Sequence, residues 1–422
     1  MKVHELDYQD ILDSSPNEGQ THLITNNSYF RPDLDEDIPN LGTFLVCNKF
    51  NFEQIMELQT LVSDYISNIE VNEKCQLLDI LVISFSEDNQ IQNSKILWII
   101  VSFLNDTETF NELYHEKYLD ISLKFVQSHN ASCVFQALNI VNIITKRLDF
   151  FLEIGQLRYM MLLIPTSFDD DYKSIIFKIV ARHFKMEIEN EDYQKMYEIA
   201  FMTLSKNDLS LVAAALKFIN KIFIHQQLSI PDEHLKQFYQ IANSKIASVV
   251  ILSLKSFIEY TKYDANVDQV LDLFPLASFI NLLLIANPNV TKYVFQLFEI
   301  LAIKNVFACE QIKESINLSE YFSSLFCIQK SVLHLIKYIS DNHLISSLTQ
   351  VSEKIFIFLD SLLNNDDDDL IITTLQILTL FPEELNRIED ESAIESFITN
   401  ENPTISEYSS LIINTLKKNR IK

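Results

Sequence analysis

Ser128-His-Asn-Ala-Ser-Cys-Val-Phe-Gln-Ala-Leu-Asn-Ile-Val-Asn-Ile-Ile144 and Lys206-Asn-Asp-Leu-Ser-Leu-Val-Ala-Ala-Ala-Leu-Lys-Phe-Ile-Asn-Lys-Ile222 are two copies of one pattern. Val134, Ala137, Leu138 and Asn142 fall on Val212, Ala215, Leu216 and Asn220 at a constant offset of 78 residues, and half of that, 39, is one repeat. Ser244-Lys-Ile-Ala-Ser-Val-Val-Ile-Leu-Ser-Leu-Lys-Ser-Phe-Ile258 is a shorter third copy. The central apolar residues of such segments are Trp98, Leu138, Phe177, Leu216, Leu254, Phe295, Leu335 and Leu375, at intervals of 40, 39, 39, 38, 41, 40 and 40. Leu335 can move by one position without harming the series.

Apolar residues within each segment recur at three- and four-residue steps, as Leu211, Ala215, Phe218 and Ile222 do, which is the period of an α-helix. Linkers of a few Asn, Asp, Ser or Pro residues force consecutive helices to pack directly on one another. A unit this small cannot bury its own apolar face, so neighbours must stack and share a seam. The fold class expected is therefore all-α: an α-α superhelix, or solenoid, of about eight to ten repeats of roughly 40 residues, built from triplets of short helices. Segments near 52–70 and 402–418 are expected to cap its ends.

Composition agrees. Of 422 residues, 48% are apolar and 30 are Phe, while Gly occurs only at positions 19, 42 and 155. Tight hairpins and backbone phosphate cradles lean on Gly, so both are nearly excluded after Gly155. Residues 1–50 differ: they hold Pro16, Pro32, Pro39 and the acidic run Asp33–Asp37, and read as a largely flexible acidic arm with a short helix near Val3–Leu12. The repeat domain is expected to occupy 51–422.

The formal net charge is −25. Such a field repels phosphate backbones and anionic lipid, so neither nucleic acid nor a membrane is an expected partner. It favours basic ligands, unless the acidic surface serves only solubility. Cys47, Cys75, Cys133, Cys309 and Cys327 are far apart, without a C-x-x-C pair, and read as small apolar residues in a reducing compartment. The start lacks the apolar core of a signal peptide and no stretch reaches the length of a membrane span, so a soluble, cytoplasmic protein is expected. No H-x-x-x-H, nucleophile elbow, Walker sequence or dinucleotide fingerprint occurs. The expectation is no enzyme, no cofactor and no metal.

Residues 52–420 resemble the armadillo family, whose repeats end in a second helix, an Asn-containing turn and a longer third helix. The segments Tyr118–Asn130 ahead of Val134–Ile144, and Phe356–Asn365 ahead of Leu370–Leu380, carry that resemblance. It implies a scaffold that binds a protein or extended peptide along a concave face. Residues 90–165 are similar to the nuclear-import adaptors of the importin-α type, whose third helices carry Trp-x-x-x-Asn. Ile96-Leu97-Trp98-Ile99-Ile100-Val101-Ser102 places Trp98 at the Trp position and Ser102 at the Asn position, while Asn142 and Asn220 keep the Asn without the Trp. By this resemblance Trp98, Ser102, Asn142 and Asn220 are the peptide-binding candidates. Read from the residues alone, Trp98 is a core aromatic in a very apolar helix. An import adaptor for Lys/Arg-rich signals, shuttling to the nucleus, and a regulatory subunit of a phosphatase or kinase complex are the alternatives. Oligomeric state stays open.

Overall fold

A computed structural model describes residues 38, 40–148, 152–165, 169–183, 190–285, 287–341, 352–388 and 391–421. The expected helix at Val3–Leu12 and the acidic run Asp33–Asp37 lie outside the described residues. The described residues are helical with turns and contain no strand. They divide into two compact units, one ending at Ile222 and the other beginning at Phe223, so the expected repeat region is distributed over both.

The first unit runs through α1 (Leu41–Leu45), α2 (Phe52–Tyr65), α3 (Val71–Ile83), α4 (Gln90–Leu104), α5 (Phe110–Leu113), α6 (Glu116–Val126), α7 (Ala131–Arg147), α8 (Ile154–Leu163), α9 (Asp170–His183), α10 (Asn190–Thr203) and α11 (Leu209–His225). The second unit continues with α12 (Asp232–Ala242), α13 (Ala247–Thr261), α14 (Asp264–Leu273), α15 (Leu276–Ile280), α16 (Pro288–Lys304), α17 (Val306–Ser315) and α18 (Phe326–Asp341). It closes with α19 (Ser352–Leu363), α20 (Asp368–Thr379), α21 (Glu391–Ser396) and α22 (Pro403–Ile421).

The long third helices of successive repeats pack on each other: α4 on α7 and α7 on α9 in the first unit, α13 on α16, α16 on α18, α18 on α20 and α20 on α22 in the second. Second helices such as α6, α12 and α19 back them. This is an all-α stack of armadillo-like repeats. Among the described residues several repeats show a pair of helices, because two helices of this length use up most of a 39-residue period, whereas α14, α15 and α16 keep three. The first helix survives between α4 and α6 only as the four-residue α5, which still buries Phe110 and Leu113.

Seven of the eight expected anchors, Leu138, Phe177, Leu216, Leu254, Phe295, Leu335 and Leu375, are fully buried. Trp98 is the exception: it is half-buried, and the seam residue of α4 is its neighbour Leu97, 0% exposed. Ile336 is as buried as Leu335, and taking Leu97 and Ile336 as anchors gives intervals of 41, 39, 39, 38, 41, 41 and 39. A one-residue step is about 100° round a helix, so the register at α4 decides which side chain faces outward.

Burial separates central from terminal helices as stacking requires. α13, with neighbours on several sides, buries eleven of its fifteen side chains. α22 buries only one stripe, Ile405, Ser409, Ile412, Ile413 and Leu416, as an end cap should. At the other end, residues 40–50 pack against the helices that follow. Asn40 (φ 64°) turns the chain into α1, and Leu41, Phe44 and Phe50 are buried. The Phe50 amide donates to Ser84 Oγ at 2.8 Å, and the Phe44 and Phe50 rings meet edge to face at 6.0 Å.

Many Asn and Asp residues cap helices. Asn89, Asn130, Asp208, Asn287 and Asp367 each accept a backbone N–H from the first turn of a third helix, at 3.0, 3.0, 3.0, 3.3 and 3.2 Å. Each such cap contributes about 1 kcal/mol. Asp366–Asp369 is thus a helix start, as its position suggests.

Candidate peptide-binding face

In the first unit, α4, α7, α9 and α11 form a ladder whose rungs are joined by direct contacts. The Phe135 and Tyr172 rings lie 5.0 Å apart, and Tyr172 Oη donates to the Ala131 carbonyl at 2.6 Å. Ser174 and Ser210 hydroxyls are 3.3 Å apart, and Phe177 meets Phe218 at 5.6 Å. Equivalent positions on successive helices therefore lie side by side. One residue beyond the buried seam, the column reads Trp98, Asn139, Lys178, Lys217; four residues further it reads Ser102, Ile143, Arg182, Lys221. All eight are half-buried.

This register re-sorts the sequence candidates. Trp98 is on the accessible side of α4, and its structural equivalent is Asn139, not Leu138. Ser102 is half-buried beside it and donates to the Trp98 carbonyl at 3.0 Å, closing a bond within its own helix. Asn142 belongs to a different column, three residues after Asn139, and its Oδ1 accepts from Arg182 at 2.7 Å while its carbonyl accepts from the same guanidinium at 3.2 Å. Asn220 shares the Asn142 column but is only 7% exposed. Trp98, Ser102 and Asn142 are thus brought to one face, and Asn220 is held beneath it.

Sequence reasoning missed the cations. Lys178 with Lys217, and Arg182 with Lys221, are spaced by the repeat length of 39, a signal readable once the seam is placed on Leu97. Third helices α4, α7, α9 and α11 contain eight Lys or Arg against two acids, Asp170 and Asp171, in a chain of net charge −25. Both acids are at the first turn of α9. Asp170 pairs with Lys173 at 2.8 Å. Burial, with Asp169 and Asp208 nearby, raises the Asp171 carboxyl.

Arg147 has a different task. Its guanidinium donates to the carbonyls of Leu104, Asp106 and Asn105 at 2.9, 2.8 and 2.8 Å, capping the end of α4 from the next repeat, and stacks 4.7 Å from the Phe110 ring. In the second unit Lys304 repeats the device, reaching the Lys262 carbonyl and Asp264 Oδ1.

Burial, with the Arg182 guanidinium beside it, lowers the His183 imidazole to about 4, so it is neutral at physiological pH. Burial raises the Cys133 thiol to about 11, which removes it as a nucleophile. Two depressions, around Asn243, Lys245 and Asn281 in the second unit and around Lys124, Ser128 and His129 in the first, are lined by no carboxylate. Among the described residues no group of three or more His, Cys, Asp or Glu could hold a metal ion, and no single helix is long and apolar enough to cross a membrane.

No protein-family profile matches the sequence, and no curated protein matches it. Solved structures do. An engineered protein solved in a structural-genomics programme superposes with a TM-score of 0.61 at 13% identity, covering 90% of this chain and 99% of its own. A designed armadillo repeat protein covers 51% of this chain and 98% of its own, with a TM-score of 0.43 at 14% identity. Another, in complex with a (KR)4 peptide, gives 0.42 at 14% identity over 51% and 97%. At 13% identity the likeness to the first of these is one of fold alone.

Proposed function

We propose that the chain is a non-catalytic scaffold that binds an extended protein segment across the third helices of its first unit, with Trp98 at one end of the face. The observation that carries this is the pair of columns from α4 to α11: long, half-buried amide, aromatic and cationic side chains repeated at one position per helix. Packed helices are spaced about 8–10 Å and an extended chain advances about 3.3 Å per residue, so each repeat would meet every second or third residue of a ligand. Trp98 supplies a large, rigid contact surface, and Ser102 and Asn142 supply polar groups near it. Asn220, being buried, would support the face from below.

An import adaptor for Lys/Arg-rich signals fits this face poorly, because the face presents cations where such a ligand needs carboxylates. Asn142, the candidate for holding a peptide backbone, already receives Arg182.

Trp98 is the single tryptophan of the chain, so its emission reports on this face alone. The test is to select peptides from a random display library on the full chain and titrate them against Trp98 emission, with hydrogen exchange mapping the protected segments. Protection is expected on α4, α7, α9 and α11. Selected peptides that protect α3, α6 and α8 while leaving Trp98 emission unmoved would refute the assignment.

A further inference from the structure

We infer that the ligand of this face is an acidic peptide segment, rich in Asp and Glu, a conclusion that rests on the scaffold reading above and reverses what the net charge of the chain suggests. The argument is one of placement. The chain carries 58 acidic against 33 basic side chains, yet α4 and α7 hold no acid at all, and neither does α11. The two acids of α9 are confined to its first turn, Asp170 tied to Lys173 and Asp171 within the electrostatic reach of Lys178. The neighbouring second helices α3, α6, α8 and α10 hold seven Asp or Glu against five Lys or Arg, so acidity resumes one layer away.

Lys95 and Lys146 extend the face beyond the two cationic columns, Lys95 half-buried and Lys146 exposed. Charge interactions at the surface are screened over about 8 Å at physiological ionic strength, so a bound segment feels the cations it lies on, not the carboxylates elsewhere. The same length scale separates a peptide from a nucleic acid. A short acidic segment fits within the face, whereas a longer phosphate polymer would run off it into the field of a chain at −25. An apolar side chain in the segment would find Trp98.

The test uses the full chain and three labelled octapeptides, (Glu-Asp)4, (Ser-Asn)4 and (Lys-Arg)4, read by anisotropy and by Trp98 emission at low and physiological salt. The acidic peptide is expected to bind, to shift Trp98 emission and to weaken as salt rises. The triple variant Lys95→Glu/Lys146→Glu/Lys221→Glu should lose about tenfold or more in affinity, while the matching Lys→Arg triple keeps it. Circular dichroism identifies a reversal variant that has lost its fold, in which case Lys146→Glu alone, at an exposed position, should still weaken binding. If the neutral or basic peptide moves Trp98 as strongly as the acidic one, the scaffold reading stands and the acidic inference fails. If no peptide shifts Trp98, both fail. Tighter binding of a single-stranded oligonucleotide than of (Glu-Asp)4 also overturns the inference.

Discussion

The two units share one scaffold and use the outer positions of their third helices differently. In the first unit α4, α7, α9 and α11 hold eight Lys or Arg and two acids; in the second α13, α16, α18 and α20 hold five of each. The second unit's charges are largely tied from repeat to repeat. His334 Nδ1 meets Glu299 at 3.0 Å, Lys330 meets Asp367 at 2.9 Å, Lys337 reaches Gln376 at 2.5 Å, and Lys255 lies 4.9 Å from the Tyr293 ring. In the first unit Arg147 and Arg182 reach carbonyl and amide groups of the preceding repeat, and Lys173 pairs with Asp170 within its own helix. Stacking is settled by the buried seam, so the next position outward is available either for cohesion or for recognition.

The largest expected effects test whether the scaffold really is common to both. Leu138 and Ile336 are both 0% exposed, one in each unit. Leu138→Ala and Ile336→Ala should each cost about 2–5 kcal/mol in chemical denaturation, the lost transfer energy plus a cavity. A loss below about 1 kcal/mol in either would show that its unit does not depend on the seam. The clasps come next. Arg147→Ala removes three carbonyl bonds and a ring contact and should cost about 2–3 kcal/mol. Lys304→Ala removes a more exposed pair, with the Asp264 side chain 90% accessible, and should cost about 0.5–1 kcal/mol. Equal losses would dissolve that distinction.

Much of the fold is legible in the residues because a repeat signals its period many times. The interval near 39 residues, the absence of Gly-dependent turns and the Asn or Asp before most third helices all point to stacked helices. The site is legible only after one register decision. Placing Trp98 in the seam is natural on hydrophobicity, since the indole outranks Leu97 in size. Packing selects Leu97 instead, and the choice moves Trp98 from core to surface. It also separates Asn142 from Ser102, which had been aligned by their shared spacing from an apolar residue. The cationic columns were hidden for another reason: whole-chain charge averages over layers, while recognition depends on one face. Where two helices fill a repeat, its length already says so, since Ala131–Arg147 and Ile154–Leu163 leave little room for another helix.

Acid sensitivity provides a smaller contrast. His183 is 2% exposed and its imidazole is held at about 4 against 6.5 when unfolded. The folded state therefore favours the neutral ring. Its contribution is fully present above pH 6.5 and is lost as pH falls from there toward about 4, because the unfolded chain binds the proton first. The loss should be on the order of 3 kcal/mol, visible as a falling denaturation midpoint in Trp98 emission, which reads the first unit. His183→Leu should flatten that slope. A slope unchanged by the substitution would assign the acid response to other groups.

The smallest effects belong to the caps. Asn130 opens α7 in the first unit and accepts from Cys133 N at 3.0 Å. Asn287 opens α16 in the second and accepts from Asn289 N and Val290 N at 3.0 and 3.3 Å, ahead of Pro288. Proline at the first helical position lacks the N–H that would need a partner and already has helical φ, so α16 keeps part of its start without the cap. Asn130→Ala should therefore cost about 1 kcal/mol and Asn287→Ala somewhat less, while Asn→Asp at either position should hold the cap. Thermal denaturation of the four variants decides it. If Asn287→Ala proves the costlier, the proline contributes nothing to the helix start and capping strength follows the number of N–H groups accepted.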